Sequence, residues 1–119
     1  MIAAVRTALG TFAVDLEAEE LVDEPIEEPE PAREAVSGST RVRIMGYRPP
    51  LVVSHDAGIT WREAGGGLPA GRAVAVSPND PDLMLYAGAT RLYVSTDGGR
   101  FWRALTLELP EIEAVALPE

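Results

Sequence analysis

The sequence predicts an all-β protein made of repeated four-stranded antiparallel units, two to three per chain. Three observations predict it. A ten-residue motif recurs at a fixed offset, short apolar runs are broken by Gly, Pro and Asp, and no segment carries a helical hydrophobic period. The motif Val53-Ser-His-Asp-Ala-Gly-Ile-Thr-Trp-Arg62 lies 41 residues before Val94-Ser-Thr-Asp-Gly-Gly-Arg-Phe-Trp-Arg103, and six of the ten positions are identical. The offset continues outward. Leu51 matches Leu92, Leu68-Pro69 matches Leu109-Pro110, and Ala73–Val76 matches Ala114–Leu117. A worn third copy stands upstream, where Phe12–Asp15 falls opposite Val53–Asp56 but Glu17 and Glu20 replace the Gly and Trp. One residue out of register, Ala35–Ser37 matches Ala75–Ser77.

Taken in order, the strand-like runs are Ile2–Ala8, Thr11–Asp15, Val42–Tyr47, Leu51–Ser54, Ala73–Ser77, Leu83–Ala87, Leu92–Ser95, Phe101–Leu105 and Ile112–Leu117. Each is short and rich in apolar, β-branched or aromatic side chains. Between them lie Asp56-Ala-Gly58, Pro78-Asn-Asp-Pro81 and Asp97-Gly-Gly99. These tracts make turns because Gly permits positive φ, Pro fixes φ and Asp bonds the turn backbone. Four strands in about 40 residues is the spacing of a β-propeller blade. The units are then 1–37 (a degenerate first blade with an acidic loop over 17–34), 38–72 and 73–111. Residues 112–117 are left over as a strand that completes a neighbouring or partner blade.

Ser54-x-Asp56-x-Gly58-x-Thr60-Trp61 and Ser95-x-Asp97-x-Gly99-x-Phe101-Trp102 resemble the Asp-box, also called the bacterial neuraminidase repeat. The second copy departs from the usual pattern by having Phe101 in place of Thr. The resemblance covers roughly residues 42–117. The family includes sialidases, some endoglucanases, sortilin-type receptors and photosystem assembly factors. It implies a β-propeller with the box at the turn between a blade's third and fourth strands. It also implies structural roles for Ser54, Asp56, Gly58, Trp61, Ser95, Asp97, Gly99 and Trp102. Carboxylate and hydroxyl bond the turn, Gly admits its backbone, and Trp fills space between sheets. A catalytic carboxylate or a sugar-stacking Trp is the competing reading.

Propellers have about 4–8 blades, more than this chain encodes. The expectation is therefore a homodimer closing one six-bladed ring, each copy donating strand 112–117 to its partner's first blade. An open stack of sheets, a compact sandwich and a remnant of a longer propeller are the alternatives.

The charge is uneven. The chain has 19 acids, ten arginines, no Lys and a net charge of -9. Residues 15–34 hold ten of the acids and one Arg, so the remainder is balanced. The stretch 17–34 reads as an eroded strand at Leu21-Val22 followed by a mobile acidic loop. Such a loop suits a basic partner or cations, against the plainer reading of a solvated surface.

Much chemistry is excluded. Without Cys or Lys there is no thiolate, disulfide, Schiff-base lysine or phosphate-loop lysine. His55 is the sole histidine, and it reads as a solvated residue at a turn tip. One His and no Cys exclude a zinc site of the usual ligands within one chain, and no calcium-loop spacing is present. Gly65–Gly67 is a connecting loop. Arg41 and Arg43 share a strand face, exposed or paired with acids. Nucleic-acid binding is disfavoured by the charge, and no apolar run reaches the roughly 18 residues of a membrane helix. The N-terminus is a poor signal peptide, so a soluble, cytoplasmic protein is expected.

Sialidases need three arginines, a Tyr with a Glu and an acidic Asp, and no Arg-Ile-Pro signature stands near the start of this chain. The expected function is a non-catalytic interaction or scaffold protein, with no cofactor. A carbohydrate-binding protein is the first alternative and a degenerate glycosidase-like domain the second. Any protein or glycan ligand is expected on the loops Tyr47–Pro50, Gly65–Arg72 and Ala89–Arg91, with Tyr47, Arg48, Arg72 and Arg91 as contacts.

Overall fold

A computed structural model describes all residues, 1–119. It has twelve β-strands and no helix. Three four-stranded antiparallel sheets result, and each is one repeat unit. No helix of the structure is long and apolar enough to cross a membrane.

The second sheet runs in chain order through β4 (Glu34–Ser37), β5 (Thr40–Ile44), β6 (Leu51–Ser54) and β7 (Arg62–Ala64). It begins earlier than the boundary at residue 38, because Glu34–Ser37 pairs with β5 and not with the unit before it. The third sheet is β8 (Ala73–Ser77), β9 (Asp80–Ala87), β10 (Arg91–Ser95) and β11 (Arg103–Glu108). The fourth strand of this sheet starts at Arg103, not at Phe101. The Phe101 N–H is held by the Asp97 carboxylate, which keeps the residue in the turn with its ring exposed.

The first sheet joins the two chain ends. Its order is β12 (Ile112–Ala116), β1 (Ile2–Thr7), β2 (Gly10–Asp15) and β3 (Glu20–Val22). The expected donation of 112–117 to a second copy is corrected here. This strand pairs with β1 of its own chain, Val5 opposite Val115 and Thr7 opposite Ile112. A three-residue connection after β11 delivers it there, and a bulge near Arg6 keeps Ile112 turned into the core.

Side-chain alternation decides how the sheets stack. In β5, Thr40, Val42 and Ile44 are buried, while Arg41 and Arg43 point to the opposite face. Val42, Ile44, Leu51 and Val53 pack on Val74, Val76, Met84 and Tyr86 of the third sheet. The other face of the third sheet, with Ala73, Leu85, Leu92 and Leu105, packs on Ala3, Val5, Val14 and Val115 of the first. The third sheet therefore lies in the middle of an arc. Its strand β8 touches both β4 and β12 and is buried at all five residues, which explains why Ala73–Val76 is apolar without alternation.

The acidic segment 23–33 crosses from β3 to β4 without regular structure. Leu21-Val22 falls in β3, as the repeat frame expects. The residues that follow lie along the first sheet. Pro29 is buried, and Glu28 reaches Thr11 at 3.4 Å and Arg6 at 3.7 Å. Backbone bonds then anchor the segment's end, from Val74 N–H to the Ala32 carbonyl and from Ile44 N–H to the Arg33 carbonyl.

Because Ile112 is fully buried, Ile112→Ala should lower the unfolding free energy by about 2–4 kcal/mol in urea denaturation. Glu113→Ala, which removes only a surface ion pair to Arg6, should cost less than about 1 kcal/mol.

Candidate functional site

Polar side chains gather at two places: the pair of motif turns, and the loop cluster at the end of the second and third sheets. Both motif turns join the third and fourth strands of their sheets, β6 to β7 and β10 to β11.

In the first turn the Ser54 hydroxyl donates to Asp56 Oδ1 at 2.7 Å and accepts the Gly58 N–H at 2.8 Å. Asp56 Oδ1 accepts the Thr60 N–H at 2.8 Å, and Oδ2 accepts the Thr60 hydroxyl. The Trp61 indole N–H donates to the Gly58 carbonyl at 3.0 Å. The second turn repeats this pattern. Ser95 donates to Asp97 at 2.8 Å, Gly99 N–H donates to Ser95 at 2.9 Å, and Trp102 donates to the Gly99 carbonyl at 3.0 Å. Asp97 Oδ1 accepts the N–H groups of Arg100 and Phe101.

The exchange of Thr60 for Phe101 between the copies has an electrostatic consequence. The Thr60 hydroxyl is the largest influence holding the Asp56 carboxyl down, to about 2, followed by the Thr60 N–H and the Ser54 hydroxyl. Phe101 offers no hydroxyl. Asp97 is lowered first by the Phe101 N–H and then by Ser95. In both turns the carboxylate is stabilised by donors from its own loop.

Gly58 and Gly99 have φ of 89° and 90°, the left-handed region. The residue before each is also left-handed: Ala57 at 60° and Gly98 at 73°. Gly99 is further constrained by space, since a Cβ there would meet Met84 Sδ at 3.3 Å and Val53 at 3.4 Å.

The tryptophans diverge in setting. Trp102 packs between the second and third sheets, edge-on to Tyr86 with centroids 6.0 Å apart. Trp61 lies on the second sheet's other side, under the Arg43 guanidinium at 4.7 Å. The worn first copy keeps its acid in the same role. Asp15 Oδ1 accepts the N–H groups of Glu17 and Ala18 in the β2–β3 turn.

The arginine that follows each Trp carries an unexpected duty. Arg62 donates to the Gly98 carbonyl at 2.7 Å, crossing from the second sheet to the third sheet's turn. Arg103, at the same repeat position, donates to the Leu16 carbonyl at 3.5 Å and to Glu19 at 2.9 Å, in the first sheet's turn. Glu19 also accepts the Thr106 N–H at 2.6 Å, and that bond is the main reason its carboxyl lies below its usual range. The identity of Arg62 and Arg103 within the repeat was the available signal for this contact. Glu19 had none, since it sits in a run of acids.

The loop cluster brings together only part of the expected contact set. Tyr47 and Arg48 line a shallow cleft of about 180 Å³ with Arg33, Pro50 and Gly71. Arg48 also donates to the Leu68 carbonyl, while the Tyr86 hydroxyl donates to the Pro69 carbonyl at 2.6 Å. Burial raises that Tyr86 hydroxyl to about 12. These two bonds pin the loop 65–72. Arg91 lies in a separate depression, 3.9 Å from Glu108. Arg72 is exposed and lines neither. Arg33, which lay hidden in the acidic stretch, joins the first cleft and donates to the Gly71 carbonyl at 3.3 Å. His55 is exposed, with Nδ1 at 3.1 Å from the Thr40 hydroxyl.

No protein-family model matches the chain, and no curated protein matches it.

Replacing Ala57 by Gly should stabilise the protein by about 0.5–1 kcal/mol in thermal or urea unfolding, since the left-handed conformation strains a residue with a Cβ. The depressed Asp56 carboxyl contributes stability in full above its ordinary value of 3.8, and that contribution is lost as pH falls towards about 2. The stability difference between the native protein and Asp56→Asn should therefore shrink over that window and be constant above it.

Proposed function

We propose that this chain is a non-catalytic Asp-box protein of the β-propeller type, acting in the cytoplasm as an interaction or scaffold module. One observation carries the reading. Both Ser hydroxyls, both carboxylate oxygens of Asp56 and Oδ1 of Asp97 are bonded within their own turns, which favours a role in holding those turns over chemistry on a substrate. The Arg62 and Arg103 contacts support it further, because the box turns are also where neighbouring sheets are stapled. A module of this kind presents loops on a rigid frame.

A carbohydrate-binding reading has one observation of its own. The cleft around Tyr47, Arg48 and Arg33 offers an aromatic face and two guanidinium groups on a pinned loop cluster, a chemistry suited to an acidic or hydroxyl-rich ligand.

Fluorogenic sialosides and other glycosides should show no turnover above background; hydrolysis that follows the purified protein would remove the non-catalytic reading. On a glycan array the scaffold reading expects no specific signal. A specific signal lost in Arg48→Ala would instead establish the lectin.

A further inference from the structure

Acids outnumber arginines 19 to ten in this chain. Arg6, Arg43, Arg91 and Arg103 each have a carboxylate at 3.9 Å or closer. Arg33 and Arg48, which share the cleft beside the loop 65–72, have no carboxylate partner. Glu34, next to Arg33 in sequence, is bonded to Arg43 at 3.1 Å instead. The cleft is otherwise lined by Tyr47 and by small or apolar residues such as Met45, Pro50 and Ala70, with no acid among them. We infer that this cleft binds the phosphate group of a small phosphorylated sugar, held between the guanidiniums of Arg33 and Arg48.

Both guanidiniums are positioned by one loop. Arg33 donates to the Gly71 carbonyl at 3.3 Å, and Arg48 donates to the Leu68 carbonyl. The loop is fixed in turn by the Tyr86 hydroxyl, which donates to the Pro69 carbonyl at 2.6 Å. The backbone lies so close there that a Cβ on Gly71 would meet the Tyr86 hydroxyl oxygen at 2.5 Å. Each guanidinium uses a single N–H on the loop, and its remaining donors are free for a ligand. Both charges also act on one point. Burial raises the Tyr86 hydroxyl, and Arg48 and Arg33 both oppose that rise. Two unpaired positive charges thus converge on a fixed loop.

Charge and size choose the ligand. A phosphate monoester carries about −1.5 to −2 at neutral pH and offers three strong acceptor oxygens. It balances both guanidiniums, whereas a carboxylate leaves one uncompensated. The chain's net charge of -9 repels a polyanion, so a compact single anionic group is favoured in a cleft of about 180 Å³. Beside the arginines stands Tyr47, 59% exposed, whose ring offers a face to the sugar. The sugar half of the inference rests on the carbohydrate reading of this cleft; the phosphate half does not.

Amide NMR titrations of the whole chain test this, with inorganic phosphate, glucose 6-phosphate, glucose and glucuronate as probes. Both phosphates should shift the amides of Tyr47, Arg48, Ala70 and Gly71 saturably, and glucose 6-phosphate should bind with a dissociation constant on the order of 1 mM or below. Glucuronate, a monoanion, should bind roughly tenfold more weakly or worse. Arg33→Ala and Arg48→Ala, each checked for native stability by urea denaturation, should weaken both phosphates about tenfold. Tyr47→Ala should weaken glucose 6-phosphate and leave inorganic phosphate unchanged. The absence of a saturable shift with either phosphate, shifts confined to other parts of the chain, or equal affinity for glucuronate would overturn the proposal. Glucose binding as tightly as glucose 6-phosphate would overturn it while leaving the carbohydrate reading standing. Inorganic phosphate binding as tightly as glucose 6-phosphate would strike the sugar from it.

Discussion

The pairing of β12 with β1 is the contact on which the rest of the protein depends. Four strands of a sheet are shared between the first fifth of the chain and its last few residues, so neither end makes a sheet alone. Val5 and Val115, placed opposite each other, then belong to the core that the first and third sheets share. Closing the sheet in this way satisfies the outer hydrogen bonds of β1 and ties the two ends of the arc's sequence together. It also sets the path of the acidic segment. Once the first sheet is built next to the third, the chain must travel from β3 along the first sheet and past β8 to begin the second.

Packing between the sheets follows from a repeated geometry. A fourth-strand arginine reaches the motif turn of the next sheet, from second to third and from third to first. The motif turn is rigid because its Asp and Ser are bonded internally, so its carbonyls are presented in fixed positions to that arginine. Where the sequence has decayed, the contact is maintained by other means. Glu19, in the left-handed region, answers Arg103 from a turn that has lost its Gly and Trp.

The acidity that marks residues 15–34 acquires a structural meaning. The stretch holds ten acids, and they serve different ends. Asp15 caps a turn, Glu19 bridges to β11, and Glu28 lies against Arg6 and Thr11. Pro25 and Ile26 line a cleft with Ala4 and Ala116 of the first sheet, and Pro29 is buried. The segment is a covering strap as much as a connection.

The all-β class, the 41-residue unit, the turn positions and the internal bonding of Asp56 and Asp97 were legible from the residues alone. All of these follow from local rules: side-chain period, turn chemistry and short-range hydrogen bonds. That Ile112–Ala116 pairs within its own chain came from the folded arrangement, because strand identity says nothing about which edge a strand will join. It alone put Arg33 beside Tyr47 and Arg48 and left Arg72 and Arg91 outside that cleft, since loop residues meet through the sheets that carry them. It also separated Trp61 from Trp102, identical in motif. One sits between two sheets and the other at the end of the arc, and a repeat pattern records what each unit is without recording what stands next to it.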